Sequence, residues 1–229
     1  MTIIISVQGN IGSGKSTLVA NLKSLLGDNQ QCVCYLQEPV DEWNDIRDTE
    51  GKSILELFYQ DQEAYAFQFQ MMAYISRLAI LKRALESNYD VIVTERSLMT
   101  DKHVFCQMLY DSKKINDVEF QIYNKWFDEF QQNFPEENIV YIQTDPCVAH
   151  ERVEKRSREG ESIPLEYLAE CHDYHENWIR TFSKPNVLTL DGNQDINKNP
   201  EVMTSWKIQI KNFIASKISF TTTDAIIEE

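Results

Sequence analysis

The sequence predicts an α/β fold, a five-stranded parallel sheet flanked by helices on both faces, and three observations lead there. Five short β-branched or apolar runs alternate along the chain with longer stretches of helical spacing, as in successive βαβ units. The first run, Ile3-Ile4-Ile5-Ser6-Val7, passes straight into a glycine-rich loop and then a helix. At 229 residues the chain supports one such domain with a substantial core, but not two comfortable ones. We expect one domain over residues 1–218 and an acidic tail without fixed structure over 219–229.

The glycine-rich loop is Gly9-Asn10-Ile11-Gly12-Ser13-Gly14-Lys15-Ser16, followed by Thr17. It fits G-x-x-x-x-G-K-[ST], the Walker A pattern of P-loop proteins. Its glycines let successive backbone N–H groups turn around phosphate oxygens at a helix N-terminus. Lys15 would reach the β- and γ-phosphates, and the Ser16 hydroxyl would face Mg²⁺. Strand before and helix after are the context this motif requires.

A net charge of −14 and an isoelectric point near 4.7 argue against nucleic acid or an anionic membrane as partner, since both need clustered Lys and Arg. Three of the few arginines crowd into Arg152, Arg156 and Arg158, as a small phosphate ligand would require. The cysteines, at 32, 34, 106, 147 and 171, are odd in number and form no CxxC pair, so neither a disulfide framework nor a zinc site is expected. No run approaches the ~18 apolar residues of a membrane span, and the first strand begins at Thr2, which leaves no room for a leader. A cytoplasmic location follows as the expectation.

The first helix is expected at about 16–26, with a turn at Gly27-Asp28-Asn29. The strand at 32–36 leads into Gln37-Glu38-Pro39-Val40. Carboxyl ends of strands face the ligand crevice in such sheets, so Glu38 points at the same crevice as the loop. Residues 53–85 read as helix, broken near Gln60-Asp61-Gln62. The second part is apolar nearly all round and hence buried on most faces. Against that background Gln70, Ala73 and Arg77 share one face, and a buried amide and guanidinium need partners that a ligand could supply. Next, Asp90-Val91-Ile92-Val93-Thr94-Glu95-Arg96-Ser97 is a strand ending in two charges that packing does not explain. Glu95 is placed to face a metal and Arg96 to clamp phosphate or carboxylate, with Asp101 one helical turn on. Helices are expected at about 98–110 and 117–133, and a strand at 138–142. Thr144-Asp145-Pro146 then starts the arginine-bearing helix, which Glu159-Gly160-Glu161-Ser162 breaks. Pro164 restarts a helix to about 182, a fifth strand covers 186–190, and the last helix covers 201–217.

Taken together, Gly9–Ser16, Glu38-Pro39-Val40 with Trp43, Phe69-Gln70 with Ser76-Arg77, Glu95-Arg96-Ser97 with Asp101, and the Arg152/Arg156/Arg158 cluster resemble the deoxynucleoside kinase family. The closest branch holds deoxycytidine and deoxyguanosine kinases, and the motifs run in family order from residue 3 to about 196. The resemblance implies transfer of the γ-phosphate of ATP or another triphosphate to the 5′-hydroxyl of a 2′-deoxynucleoside, with Mg²⁺. It implies Glu38 as general base, Arg96 at the transferring phosphoryl group, Glu95 facing Mg²⁺ and Gln70 on the nucleobase. Tyr59 and Glu161 would hold the sugar 3′-hydroxyl, Trp43 and Phe105 would pack around the base, and the loop Asp191 to Asp195 would contact the donor base. Residues 152–162 form the lid. The chain is one residue shorter than the family between Arg158 and Pro164, so Glu161 is assigned by its distance from Arg158 and Glu159 is the alternative. Gly192 and Ile196 stand where relatives carry bulkier residues.

Arg77 and Asp101 resemble the charged pair of kinases for deoxycytidine and purine deoxynucleosides, which implies these as acceptors and thymidine as a poor one. The helices at 62–85 and 117–133 carry more apolar surface than one sheet covers, and relatives pair through them, so a homodimer is expected. Two other readings share the loop. A nucleoside monophosphate kinase would need arginines for the acceptor phosphate, whereas Glu38 and Glu161 suit an uncharged hydroxylated acceptor. A non-catalytic NTP-binding switch would not need the set of acids and bases.

Overall fold

The computed structural model describes residues 2–23, 33–131, 134–157, 161–196 and 198–224. Strands β1 (Ile3–Gln8), β2 (Val33–Leu36), β3 (Val91–Glu95), β4 (Glu137–Gln143) and β5 (Val187–Asp191) form one all-parallel sheet in the order β2-β3-β1-β4-β5. The first strand is therefore central, and its loop opens where the chain winds outward in opposite directions, the place such sheets bind ligands. Val7 is level with Glu95 on one side and Val140 on the other. That register sets the Glu95 carboxylate beside the phosphate loop.

Successive side chains of a strand point to opposite faces, so β1 feeds two cores. Ile4 joins Ile92, Ile139 and Tyr141 in one, while Ile5 and Val7 join Val91, Val93, Val140 and Ile142 in the other. Burial on both faces is why these strands read as continuous apolar runs. The second core is closed by Leu18, Val19 and Leu22 of α1 (Lys15–Leu22) and by Trp206, Ile210 and Ile214 of α10 (Pro200–Asp224).

The larger core lies under α2 (Val40–Asp45), α3 (Ile54–Gln60), α4 (Gln62–Glu86), α5 (Leu98–Thr100), α6 (Gln107–Asp111), α7 (Asp117–Gln131) and α9 (Leu165–Ile179). Ser53 and Glu56 form a reciprocal capping box at the start of α3. Asp61 both ends α3 and caps α4 through Ala64 N–H, which accounts for the break seen in the sequence. Helix α8 (Pro146–Arg156) begins with proline at its first turn and stops at Ser157, whose φ is 47°.

Three expectations change. The stretch expected as one helix over 98–110 is α5 and α6 joined by a π-helical turn, Asp101–Cys106, a feature with no sequence period of its own. The last helix does not stop at 217 but reaches Asp224, because no glycine or proline interrupts it after Pro200, so the first part of the expected tail continues the helix. Helix α2 was not foreseen. The end of the first helix beyond residue 23, the turn at 27–29, Cys32 and residues 225–229 lie outside the described residues.

Glu137 opens β4, and its carboxyl is enclosed, receiving hydrogen bonds from Ser6 (3.1 Å) and Ser97. Burial pushes its pKa up from 4.5 to about 7. An acid with a raised folded pKa stabilises the fold most below its unfolded pKa, and that contribution is lost as pH rises through the folded value. The chain should therefore lose up to about 3 kcal/mol between pH 4.5 and 7 from this group. Glu137→Gln should flatten stability across that window and raise Tm at pH 8. An unchanged pH profile by calorimetry would remove Glu137 as its source.

Candidate active site

The phosphate loop is shaped by backbone that glycine adopts readily. Gly12 has φ 80° and Gly14, the residue before α1, has φ 97°. A Cβ on Gly12 would strike the Ala149 carbonyl of α8, so the loop and the arginine-bearing helix pack directly together. No side chain caps α1, which leaves its first N–H groups open to an anion. Asn10 braces the loop by donating from Nδ2 to Leu168 O (2.8 Å) and accepting from Ile11 N–H (2.8 Å).

Lys15 is buried and its Nζ donates to Asn10 O at 2.8 Å. Burial, then the nearby Arg96 charge, brings its pKa down from 10.5 to about 7. Anionic phosphates would reverse both effects. At pH 8 triphosphate binding should thus take up on the order of one proton, since Lys15 starts mostly neutral and ends paired. Calorimetry in two buffers of different ionisation enthalpy measures this. Zero uptake, or uptake that persists in Lys15→Met, would contradict it.

Ser16 Oγ donates to Glu95 Oε1 at 2.6 Å, joining the end of the loop to the end of β3. A hydroxyl and a carboxylate beside a phosphate loop suit a small hard cation that takes its remaining ligands from phosphate and water. No cluster of three or more His, Cys, Asp or Glu that could cage a metal occurs among the described residues.

Beyond the loop lies a ladder of alternating charge. Arg77 Nη1 donates to both oxygens of Asp101 at 2.5 Å, and its Nη2 donates to Glu38 Oε1 at 2.7 Å. Arg96 Nε lies 3.1 Å from the same Glu38 oxygen. Burial works against the Arg77 charge, but Asp101 and Glu38 outweigh it and hold the guanidinium more firmly protonated than a free one. Glu38 is the most open member, at 19% side-chain exposure against 3% for Arg77 and Asp101.

One cavity of about 880 Å³ joins these parts. The loop from Ile11 to Thr17 and Glu95 border it at one end. Glu38, Trp43, Tyr59, Gln70, Ala73, Arg77, Arg96, Asp101 and Phe105 border the other, with Arg152, Arg156, Glu161 and Asp195 above. Phe69 stacks on Phe58 at 4.6 Å and meets Trp43 edge-on at 5.4 Å, so the three rings form an aromatic wall of the cavity. Trp43 is fixed by its Nε1 hydrogen bond to Ser76 Oγ (2.9 Å). Gln70 Oε1 and Arg77 Nε are buried without a protein partner. Tyr59 is pushed up by burial and by the charge of Glu161, so the phenol stays neutral beside the carboxylate. Glu161 is in turn paired with Arg156.

The expected residues fall together with few exceptions. Gly9 and Asn10 lie beneath the loop rather than on the cavity wall. Asp191 is not on the wall of this cavity; its carboxylate accepts from Asn193 N–H (3.0 Å) and Gln194 Nε2 (3.1 Å) within its own turn. Gly192 leaves no room for a bulkier residue, since a Cβ there would meet Thr144 Oγ1. Arg152 donates to Gln194 O (3.1 Å), tying α8 to that turn. Arg158 and Glu159 lie outside the described residues. Sequence reasoning missed Phe58, Leu55 and Tyr167 on the wall. The first two had a signal, an apolar i, i+3 pair on α3 beside Tyr59.

A family model described as deoxynucleoside kinase matches residues 5–215. The fowlpox virus protein named "probable deoxycytidine kinase" is 34% identical over 220 residues, covering 92% of this chain and 88% of the relative. Human deoxycytidine kinase is 33% identical over 244 residues, covering 93% and 91%. Mitochondrial deoxyguanosine kinase of Xenopus laevis is 27% identical over 240 residues, covering 92% and 89%.

Proposed function

We propose, from the premise that this chain belongs to the deoxynucleoside kinase family, that Glu38 is the base of its phosphoryl transfer and that its acceptors are deoxycytidine or purine deoxynucleosides. The enzyme is a phosphotransferase acting on a hydroxyl, with a nucleotide as phosphate donor, in nucleotide salvage. The observation that carries the assignment is the Glu38 carboxylate, held by two arginines in the same cavity as the Walker loop.

Phosphoryl transfer spreads charge over three equatorial oxygens, so catalysis is mainly positioning and electrostatics. Glu38 orients the 5′-hydroxyl and accepts its proton. Lys15 and Arg96 stabilise the charge that develops on the phosphoryl group, and Arg152 and Arg156 add to it. Ser16 and Glu95 would hold Mg²⁺, which when bound neutralises charge between the donor phosphates. Closure of the arginine-bearing segment excludes water and suppresses hydrolysis. Tyr59 and Glu161 hold the sugar hydroxyl, while Trp43, Phe69 and Phe105 on the cavity wall pack around the base and Gln70 hydrogen-bonds it. The names of the relatives support cytosine and guanine bases, as do Arg77 and Asp101, whose charges offer no apolar surface to a thymine methyl. A coupled assay following ADP release across nucleosides and nucleotides tests the proposal. Deoxycytidine or purine deoxynucleosides should be good acceptors and thymidine poor; preference for nucleoside monophosphates would overturn it.

The working unit proposed is a homodimer. On α7, Val118, Ile122, Trp126 and Phe130 recur every four residues and are 41–65% exposed, with Ile75 of α4 at 51%. Such a stripe in water is unfavourable, and a second copy would cover it. Sedimentation should give twice the 26.8 kDa chain mass at micromolar concentration; a monomer would end the idea. No helix among the described residues is long and apolar enough to cross a membrane, and a cytoplasmic location is part of the same proposal.

A further inference from the structure

We propose that Thr94 is a positioning residue for phosphoryl transfer that acts through Arg96; this rests on the reading of Arg96 as a catalytic arginine. Arg96 has φ 62°, in the left-handed region that is strained for a residue with a Cβ. The other non-glycine residues with positive φ among those described, Asn88, Lys113 and Ser157, are exposed, whereas Arg96 is buried. A strained buried residue at a site is maintained by its surroundings.

The strain has a geometric result. It sends the Arg96 side chain from the end of β3 back toward the phosphate loop. There Nη1 donates to Gly9 O (3.3 Å), Nε meets Glu38 (3.1 Å), and the guanidinium lies 4.6 Å from the Phe105 ring centre. Two hydrogen bonds hold the turn. Arg96 N–H donates to Val7 O at 2.9 Å, a backbone bond that any residue but proline would make. Thr94 Oγ1 donates to the Arg96 carbonyl at 3.0 Å, and that bond needs a hydroxyl.

Strand packing does not explain a threonine here. Residue 94 is buried between Ser6 of β1 and Leu36 of β2, directly after the apolar run Val91, Ile92 and Val93 and before Glu95, where valine would fit the same volume. A hydroxyl buried there is stabilised only by its hydrogen bond. The bond it makes fixes the peptide that aims Arg96.

The test is kinetic. Thr94→Val keeps the shape and deletes the bond; kcat should fall on the order of tenfold, with the nucleoside KM nearly unchanged, as for a misaimed catalytic group. Thr94→Ser should restore most of the loss. Arg96→Lys should itself be impaired, and Thr94→Val added to it should cost little more, since Thr94 acts through Arg96. If Thr94→Val does not fold, Ser against Ala at this position makes the same comparison, and equal kcat would overturn the proposal. So would wild-type kcat in Thr94→Val, failure of Ser to rescue, or additive effects with Arg96→Lys. Unimpaired Arg96→Lys would remove both this proposal and the reading beneath it.

Discussion

Replacing Glu38 by glutamine should lower kcat by roughly 10²–10⁴-fold while nucleoside binding is largely retained, the loss associated with a general base. Glutamine preserves the length of the side chain, and its carbonyl can still accept from Arg77 and Arg96, so the walls of the cavity have no reason to move. What disappears is the one carboxylate of the charge ladder open enough to meet an acceptor hydroxyl. Calorimetric titration with nucleoside separates binding from turnover in the ADP-release assay. If turnover stays within a few-fold of wild type, Glu38 is only a counter-ion for two arginines.

The contrast between Glu38 and Asp191 shows how much of this site can be read from residues alone. Both are acids just after or at the end of an edge-ward strand, and both were expected at the ligand. Glu38 is flanked by proline and meets arginines from two other elements, whereas Asp191 is followed by glycine and spends its oxygens on Asn193 and Gln194 of its own turn. The outcome depends on neighbours up to 58 positions away in the first case and on local turn chemistry in the second.

The Walker loop was legible because its requirements are local: glycines at fixed offsets, a strand before and a helix after. The shared face of Gln70, Ala73 and Arg77 was legible because helical spacing imposes it. Sheet order was not, since nothing in β1 itself says that it lies between β3 and β4. The left-handed turn at Arg96 was equally hidden, because arginine gives no sign of positive φ and the stabilising groups, Thr94 and Val7, act through non-adjacent hydrogen bonds. The π-helical turn at Asp101–Cys106, which begins at the residue that meets Arg77, belongs with these, as it has no sequence period of its own.

Arg77→Met combined with Asp101→Ala should shift acceptor preference toward thymidine, and the two single variants should be far less stable than the double. Removing Asp101 alone leaves an almost wholly buried guanidinium with the partly open Glu38 as its one remaining carboxylate, and removing Arg77 alone strands the Asp101 carboxylate, a break that costs about 3–5 kcal/mol. Replacing both by apolar side chains removes the burden of two buried charges, and such exchanges are often neutral or stabilising. Arg96 still holds Glu38 in the double variant, so some turnover survives, and the ratio between acceptors is the quantity to read. In the wild type, a base that leaves Arg77 Nε and Gln70 Oε1 unpaired should be disfavoured by up to about 10⁴-fold. The double variant offers the thymine methyl an apolar wall beside Ala73 and gives a polar base edge less to bind. Its ratio of kcat/KM for thymidine over deoxycytidine should rise by at least about tenfold. A wild-type enzyme that already prefers thymidine, or a double variant with an unchanged ratio, would show that this charged pair serves the fold and not the choice of base.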